Sequence, residues 1–172
     1  MTLRLILTRH AKSSWSAPGL DDHERPLNRR GQASAEALGR WLAGRRIVPA
    51  QTFCSSALRA QQTWQGIAAQ LPAPAGAPGT TLEVLPALYL ADPETMLAVL
   101  ARADAPVVML IAHNPGIAIM AGNLVRNTPD DPRISRCPTG ATAIIDLAAA
   151  NWPEAAWHSG TLVDFVIPRD LL

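Results

Sequence analysis

Two short apolar runs, each leading to a histidine, constrain what this chain can fold into more than any other feature. Residues 3–10 read Leu-Arg-Leu-Ile-Leu-Thr-Arg-His, and residues 106–112, Pro-Val-Val-Met-Leu-Ile-Ala, run straight into His113. Short runs rich in Leu, Ile and Val read as buried strands, and the second is continuous enough to be covered on both faces. Stretches of helical periodicity separate the strands, so the expected class is α/β, a sheet with helices on its faces. In such sheets ligands sit just past the carboxyl ends of the strands. Two parallel strands would therefore bring His10 and His113, with Arg9, to one edge.

Residues 15–28, with Pro18, Gly19, Asp21, Asp22 and Pro26, read as a loop. Asn28 can cap a helix running to about Gly44, with Ala35, Leu38, Trp41 and Leu42 at helical spacing. Residues 52–54 form a brief strand, and a helix from Ala57 to about Leu71 carries Ala60, Trp64, Ile67 and Ala68 on one face. Residues 72–79, Pro-Ala-Pro-Ala-Gly-Ala-Pro-Gly, read as an irregular surface connection. A short strand is expected at 81–85. Asp92-Pro93 then opens a helix to about Arg102, a cap followed by proline at the first helical position. Asn114 could cap a helix to about Val125, 127–138 is expected to be irregular, and 141–147 and 160–167 read as an antiparallel pair near a sheet edge. The expected architecture is a three-layer α/β sandwich with a mixed, mainly parallel central sheet, residues 1–172 forming one domain.

The 172 residues carry 15 Lys and Arg against 14 Asp and Glu, a net charge of +1. No overall field favours nucleic acid or an anionic membrane, so any attraction for an anion must be local. No apolar run approaches the ~20 residues of a membrane span, and the interrupted first run is wrong for a signal peptide. Cys54 and Cys137 lie far apart without metal-ligand spacing, which points to a reducing cytoplasm and away from a disulfide framework.

Arg59 adds a cation at an unusual place. With Ser56 as the cap of the second helix, Arg59 takes the third helical position, where a capping box has Glu or Gln. A cation in the first turn opposes the helix dipole by roughly 0.3–1 kcal/mol. An anion between it and the free backbone N–H groups would relieve that penalty; the plain alternative is an arginine that bends into solvent.

Four ordered blocks carry a resemblance: residues 7–13 (Leu-Thr-Arg-His-Ala-Lys-Ser), 25–31 (Arg-Pro-Leu-Asn-Arg-Arg-Gly), 55–63 (Ser-Ser-Ala-Leu-Arg-Ala-Gln-Gln-Thr) and 111–115 (Ile-Ala-His-Asn-Pro). In these the chain resembles the histidine phosphatase, or phosphoglycerate-mutase-like, superfamily, and its phosphohistidine phosphatase SixA branch in particular. The resemblance implies the phosphoglycerate-mutase-like fold and a nucleophilic His10 that forms a phosphohistidine intermediate. It implies that Arg9, Arg59 and His113 hold the phosphoryl group and that Arg25 is a further phosphate ligand. Neither metal nor cofactor is called for, since phosphoryl transfer needs positioning and cationic donors and no cluster of carboxylates is present.

Two departures from the family pattern bear on function. Its Arg-His-Gly reads Arg9-His10-Ala11 here, and the Glu acid of many members is missing near residues 89–92. Asp92 is the nearest carboxylate and the candidate acid, although it also explains itself as the cap before Pro93. Glu83, Asp21 and Asp22 are weaker candidates. Without an acid, an alkoxide leaves poorly, whereas a phosphohistidine ring can be protonated by solvent and leave neutral. The expected function is hydrolysis of phosphohistidine on a protein. The alternatives are a small-molecule phosphomonoesterase acting on a sugar or nucleoside phosphate and a non-catalytic phospho-binding module; a mutase would need a second acceptor site. Of the other polar and aromatic residues, Lys12 and Ser13 could add donors, Trp15 could flank a substrate and Thr139-Gly140 could border the pocket. His23 is expected to be solvated, and His158 has no evident partner.

Overall fold

The computed structural model describes residues 2–72 and 79–172; the Pro/Gly-rich connection read at 72–79 lies almost wholly outside them. Six strands form one sheet: β1 (Leu3–Arg9), β2 (Gln51–Ser55), β3 (Thr81–Leu85), β4 (Val107–Ala112), β5 (Thr142–Leu147) and β6 (Gly160–Val166), in the order β3-β2-β4-β1-β5-β6. The first four of that order are mutually parallel, while β5 is antiparallel to both β1 and β6. This is the mixed, mainly parallel sheet expected.

Five helices flank it: α1 (Arg29–Gly44), α2 (Leu58–Ala68), α3 (Pro93–Leu100), α4 (Gly116–Leu124) and α5 (Pro132–Arg136). Alternate residues of each strand face opposite layers. On one face Ile6, Cys54, Met109 and Ile144 meet Leu38, Trp41 and Leu42 of α1 and Ala60, Trp64 and Ile67 of α2. On the other, Leu5, Leu7, Phe53 and Leu110 meet Met96 and Leu100 of α3 and Ile117, Met120 and Leu124 of α4. The helical stripe read for α1 is the buried one.

Three local expectations change. α2 starts later and ends earlier: Ala57 is its N-cap with no side-chain bond, so Arg59 holds the second helical position, still in the first turn. Asn114 does not cap α4: Pro115 is the residue before the helix, Asn114 Nδ2 donates to the Arg136 and Cys137 carbonyls, and its buried Oδ1 accepts from none of the described residues. The stretch 127–138 contains α5, capped by Asp131 accepting from Arg133 N and entered through Pro132.

Register fixes what matters for function. Arg9 stands opposite Ala112 on β4, and Cys54 of β2 opposite Ile111. His10, His113 and Ser55 therefore emerge at the same edge of three neighbouring strands.

Candidate active site

At that edge the chain turns sharply and the two imidazoles come within 5.0 Å, centroid to centroid. The His10 amide donates to Ala112 O at 3.1 Å, and Gly140 N bonds the carbonyls of Arg9 and His10, so the strand end is tied on both sides. Nδ1 of His10 lies 2.8 Å from the Ala11 carbonyl, which accepts only, so Nδ1 carries the proton. That leaves Nε2 with a free lone pair, and Arg59 Nε donates to it at 3.3 Å. Burial, aided by the charges of Arg59, Arg9 and Arg25, lowers the His10 pKa to about 4. The imidazole is neutral at neutral pH.

His113 is 1% exposed, and its Nε2 lies 2.6 Å from Ser55 Oγ. Its Nδ1 faces Arg59 Nη2 at 3.4 Å. Burial first, then His10 and Arg59, push its pKa down to about 3.

The cations arrive from three elements. Arg9 ends β1 and donates to Cys137 O at 3.0 Å, while its buried Nε finds no acceptor among the described residues. Arg59, 2% exposed, reaches in from the first turn of α2 and donates to Asp22 O at 2.5 Å and Asp22 Oδ2 at 3.0 Å. Arg25 follows a short 3-10 turn (Asp22–Glu24) and bonds Asp22 Oδ1 and Ser13 Oγ, with its guanidinium 3.4 Å from the Trp15 ring centroid. Asp22 is thus the hub joining two arginines, and Tyr89 Oη donates to it at 2.6 Å. The Tyr89 hydroxyl, followed by Arg59 and Arg25, lowers the Asp22 pKa to about 2.

Arg9, His10, Arg25, Arg59 and His113 line a single cavity of about 470 Å³, together with Lys12, Ser13, Trp15, Asp22, Leu90, Asn114 and Thr139. All five residues expected to handle a phosphoryl group are brought together. A larger cavity of about 580 Å³ between α4 and α5 shares only Asn114 with it and presents Asp130 and Asp131 as its ionisable groups. The histidines and guanidiniums converge on the smaller one.

Asp92 does not join it. Its carboxylate accepts from Thr95 N at 2.7 Å as the cap of α3, and it forms no part of the cavity wall. Glu83 pairs with Arg102 on the surface. Asp22 does line the cavity, but as a committed carboxylate and not as a proton donor. Ser13, Lys12, Trp15 and Thr139 are at the wall as foreseen, whereas His23 bonds Ser56 at 2.8 Å beside Tyr89 and stays outside it. Ser55 and Tyr89 were not assigned roles from the sequence. Ser55 could have been found as the residue ending a strand beside β4, but nothing local marks Tyr89 as the partner of Asp22.

Comparisons with known proteins bear on the family and the fold. The model of the histidine phosphatase superfamily (branch 1) matches residues 5–88. The uncharacterised protein ML1117 of Mycobacterium leprae is 32% identical over 94% of this chain and 99% of its own. An uncharacterised chloroplastic protein of Arabidopsis thaliana is 30% identical over 91% of this chain and 72% of its own. Among solved structures, a candidate phosphohistidine phosphatase SixA from Nakamurella multipartitia superposes with a TM-score of 0.79 at 27% identity, covering 98% and 97% of the two chains. Another from Agrobacterium tumefaciens gives 0.77 at 28% identity over 96% and 98%. Sequence and fold coincide over nearly the whole chain, and the chain belongs to the histidine phosphatase superfamily, branch 1.

Proposed function

We propose that this protein hydrolyses phosphohistidine on another protein through a covalent phospho-His10 intermediate. The observation that carries the reading is an unprotonated imidazole nitrogen surrounded by guanidinium groups, with no proton donor among the carboxylates at hand. The orphaned Nε–H of Arg9 supports it, because a phosphoryl oxygen would give that buried donor its acceptor. Charge in the phosphoryl transition state is spread over three equatorial oxygens, and Arg9, Arg25 and Arg59 offer fixed donors from three directions.

In the first step His10 Nε2 attacks phosphorus in line and the substrate's P–N bond breaks. The departing imidazole, already protonated by solvent on its other nitrogen, leaves neutral. Water then attacks phosphorus, the His10–phosphorus bond breaks, and phosphate departs with His10 neutral again. An alkoxide leaving group would need an acid, and Asp22 is ionised while Asp92 caps a helix. Trp15 and Leu90 stand at the rim, 78% and 57% exposed, apolar surface that suits a docked protein. We place the reaction in the cytoplasm because Cys54 and Cys137 are both free, with burial raising their pKa to about 12 and about 11.

The test compares kcat/KM on a phosphohistidine-bearing protein with that on 3-phosphoglycerate, and traps the phosphoenzyme by rapid quench at alkaline pH. A strong preference for the protein substrate, with label on His10, is expected. His10→Ala should lose both label and turnover, by about 10³-fold or more. A preference for the sugar acid would replace this reading with the small-molecule phosphomonoesterase, and equal turnover by His10→Ala would remove the covalent step.

A further inference from the structure

A second cavity, of about 250 Å³, opens beside the catalytic one and shares two wall residues with it, Lys12 and Thr139. Arg30, Ser34, Pro168 and Arg169 form much of the rest. Three cations, Lys12, Arg30 and Arg169, therefore line a small volume with no Asp or Glu among its described wall residues; Leu172, the last residue of the sequence, stands in the wall as well. None of them takes part in an ion pair among the described residues, and the segment outside those residues holds no Asp or Glu. Asp170, the sequence neighbour of Arg169, is bonded to Arg133 at 3.1 Å and is thereby turned to another partner.

Arg30 also stands where a helix disfavours it. It holds the second position of α1, whose first turn contains no acidic residue, so its charge adds to the positive end of the helix dipole. The three cations are exposed side chains, but the backbone beneath the cavity is fixed. Lys12 is pinned because its carbonyl accepts from Asn28 N at 3.0 Å and lies against Gly31 of α1. Thr139 is pinned through Gly140, whose N–H bonds the carbonyls of Arg9 and His10. The positive cavity is thus held at a fixed place relative to the nucleophile.

We infer that this cavity is an anion subsite that receives an acidic side chain of the phosphorylated protein, a carboxylate flanking the phosphohistidine in the substrate. The inference rests on the reading of His10 as a phosphohistidine phosphatase nucleophile and adds a specificity element to it. Lys12 bridges the two cavities, so one substrate molecule can place its phosphoryl group on Arg9, Arg25 and Arg59 and its carboxylate on Arg30 and Arg169. Unlike-charge complementarity of this kind selects partners and orientation more than it changes the chemical step.

The experiment uses phosphohistidine peptides in which one glutamate is scanned through positions on either side of the phosphohistidine, with an all-alanine peptide as reference. The wild type should favour one glutamate position by about tenfold in kcat/KM, chiefly through KM, and Arg30→Gln/Arg169→Gln should lose that preference. The same double variant should turn over the alanine peptide and p-nitrophenyl phosphate at the wild-type rate, which shows that it is folded and catalytically intact. A wild type indifferent to glutamate, or a double variant that keeps the preference, would overturn the subsite. Should neither protein hydrolyse any phosphohistidine peptide, the functional reading fails by itself. The subsite is then read from inhibition of p-nitrophenyl phosphate turnover by an oligoglutamate peptide. Weaker inhibition of the double variant at matched ionic strength would sustain it, and equal inhibition would overturn it.

Discussion

At the scale of single residues, the two histidines are unusual in being kept neutral by what surrounds them. Burial is the main cause for both, and the neighbouring guanidiniums act in the same sense. A nucleophilic nitrogen must be unprotonated, so the acid limb of kcat/KM belongs near the lowered His10 value of about 4 and not near 6.5. With the substrate's own phosphate and imidazole ionisations corrected for, the rate should be flat from about pH 5 to 7.5. A limb centred near 6.5 would mean that His10 is solvated, contrary to this geometry. Stability shares the same origin. Both folded pKa values lie below the unfolded one, so as pH falls from about 6.5 the unfolded chain binds protons first and gains on the folded one. Between about pH 6 and pH 4 each histidine should remove about 1.4 kcal/mol per pH unit, and the loss should level off only below the folded values. Urea titrations at stepped pH read this directly, and His113→Asn should lessen the slope.

At the scale of elements, the β1–α1 connection sets the geometry of both cavities. Gly31 permits it: a Cβ there would stand 2.0 Å from the Lys12 carbonyl oxygen, with backbone on the other side of the contact. Gly31→Ala is expected to lose about 1–3 kcal/mol, outweighing the gain of roughly 1 kcal/mol that alanine brings to an open helical position. Gly44→Ala, at the far end of the same helix with nothing within 4 Å, is the control and should be neutral or stabilising. Thermal melts of the two variants decide between a close-packed connection and mere helix propensity, and the Gly31 variant should also lose turnover because Lys12 and Ser13 shift. The sequence made most of these elements legible where one signal dominated: the apolar runs of β1 and β4, the Asn28 and Asp92 caps, and the stripe on α1. It misled where the tertiary fold aims a side chain. Asn114 looks like a cap, but its Nδ2 donates to the Arg136 and Cys137 carbonyls at 3.0 and 3.1 Å, and its Oδ1 meets no donor among the described residues. α5 is five residues long, too short for periodicity, and its only local mark was Asp131-Pro132, the same cap-and-proline pair that was read correctly at Asp92-Pro93.

For the molecule as a whole, the candidate site is a place where like charges are forced together by the sheet. β1, α2 and the residue after the 3-10 turn each contribute one guanidinium, and among the described residues Asp22 is the sole carboxylate on the cavity wall. Arg9, Arg59 and the two histidines could be read ahead because each stands at a recognisable strand or helix end, whereas Arg25, in a stretch read as loop, came from the family resemblance alone. The Asp22–Tyr89 bond could not, since its partners are 67 residues apart and meet only through the tertiary fold. An arrangement with three guanidiniums and one carboxylate is electrostatically costly when no anion occupies it, and an oxyanion that fits should relieve that cost in the folded state alone. Tungstate is the probe of choice, because it is a tetrahedral dianion shaped like phosphate, whose oxygens can each accept from a guanidinium. A ligand at a hundredfold its Kd stabilises the folded state by about 2.7 kcal/mol, which for a chain of this length corresponds to a rise in Tm of about 5–10 °C. Chloride at the same ionic strength should do far less, since screening acts on surface pairs and only weakly on groups as buried as Arg59. Arg59→Gln should remove most of the tungstate effect while its own melt shows whether the chain still folds. Equal shifts with tungstate and chloride, or a shift unchanged in Arg59→Gln, would mean that the cations do not act together on one anion.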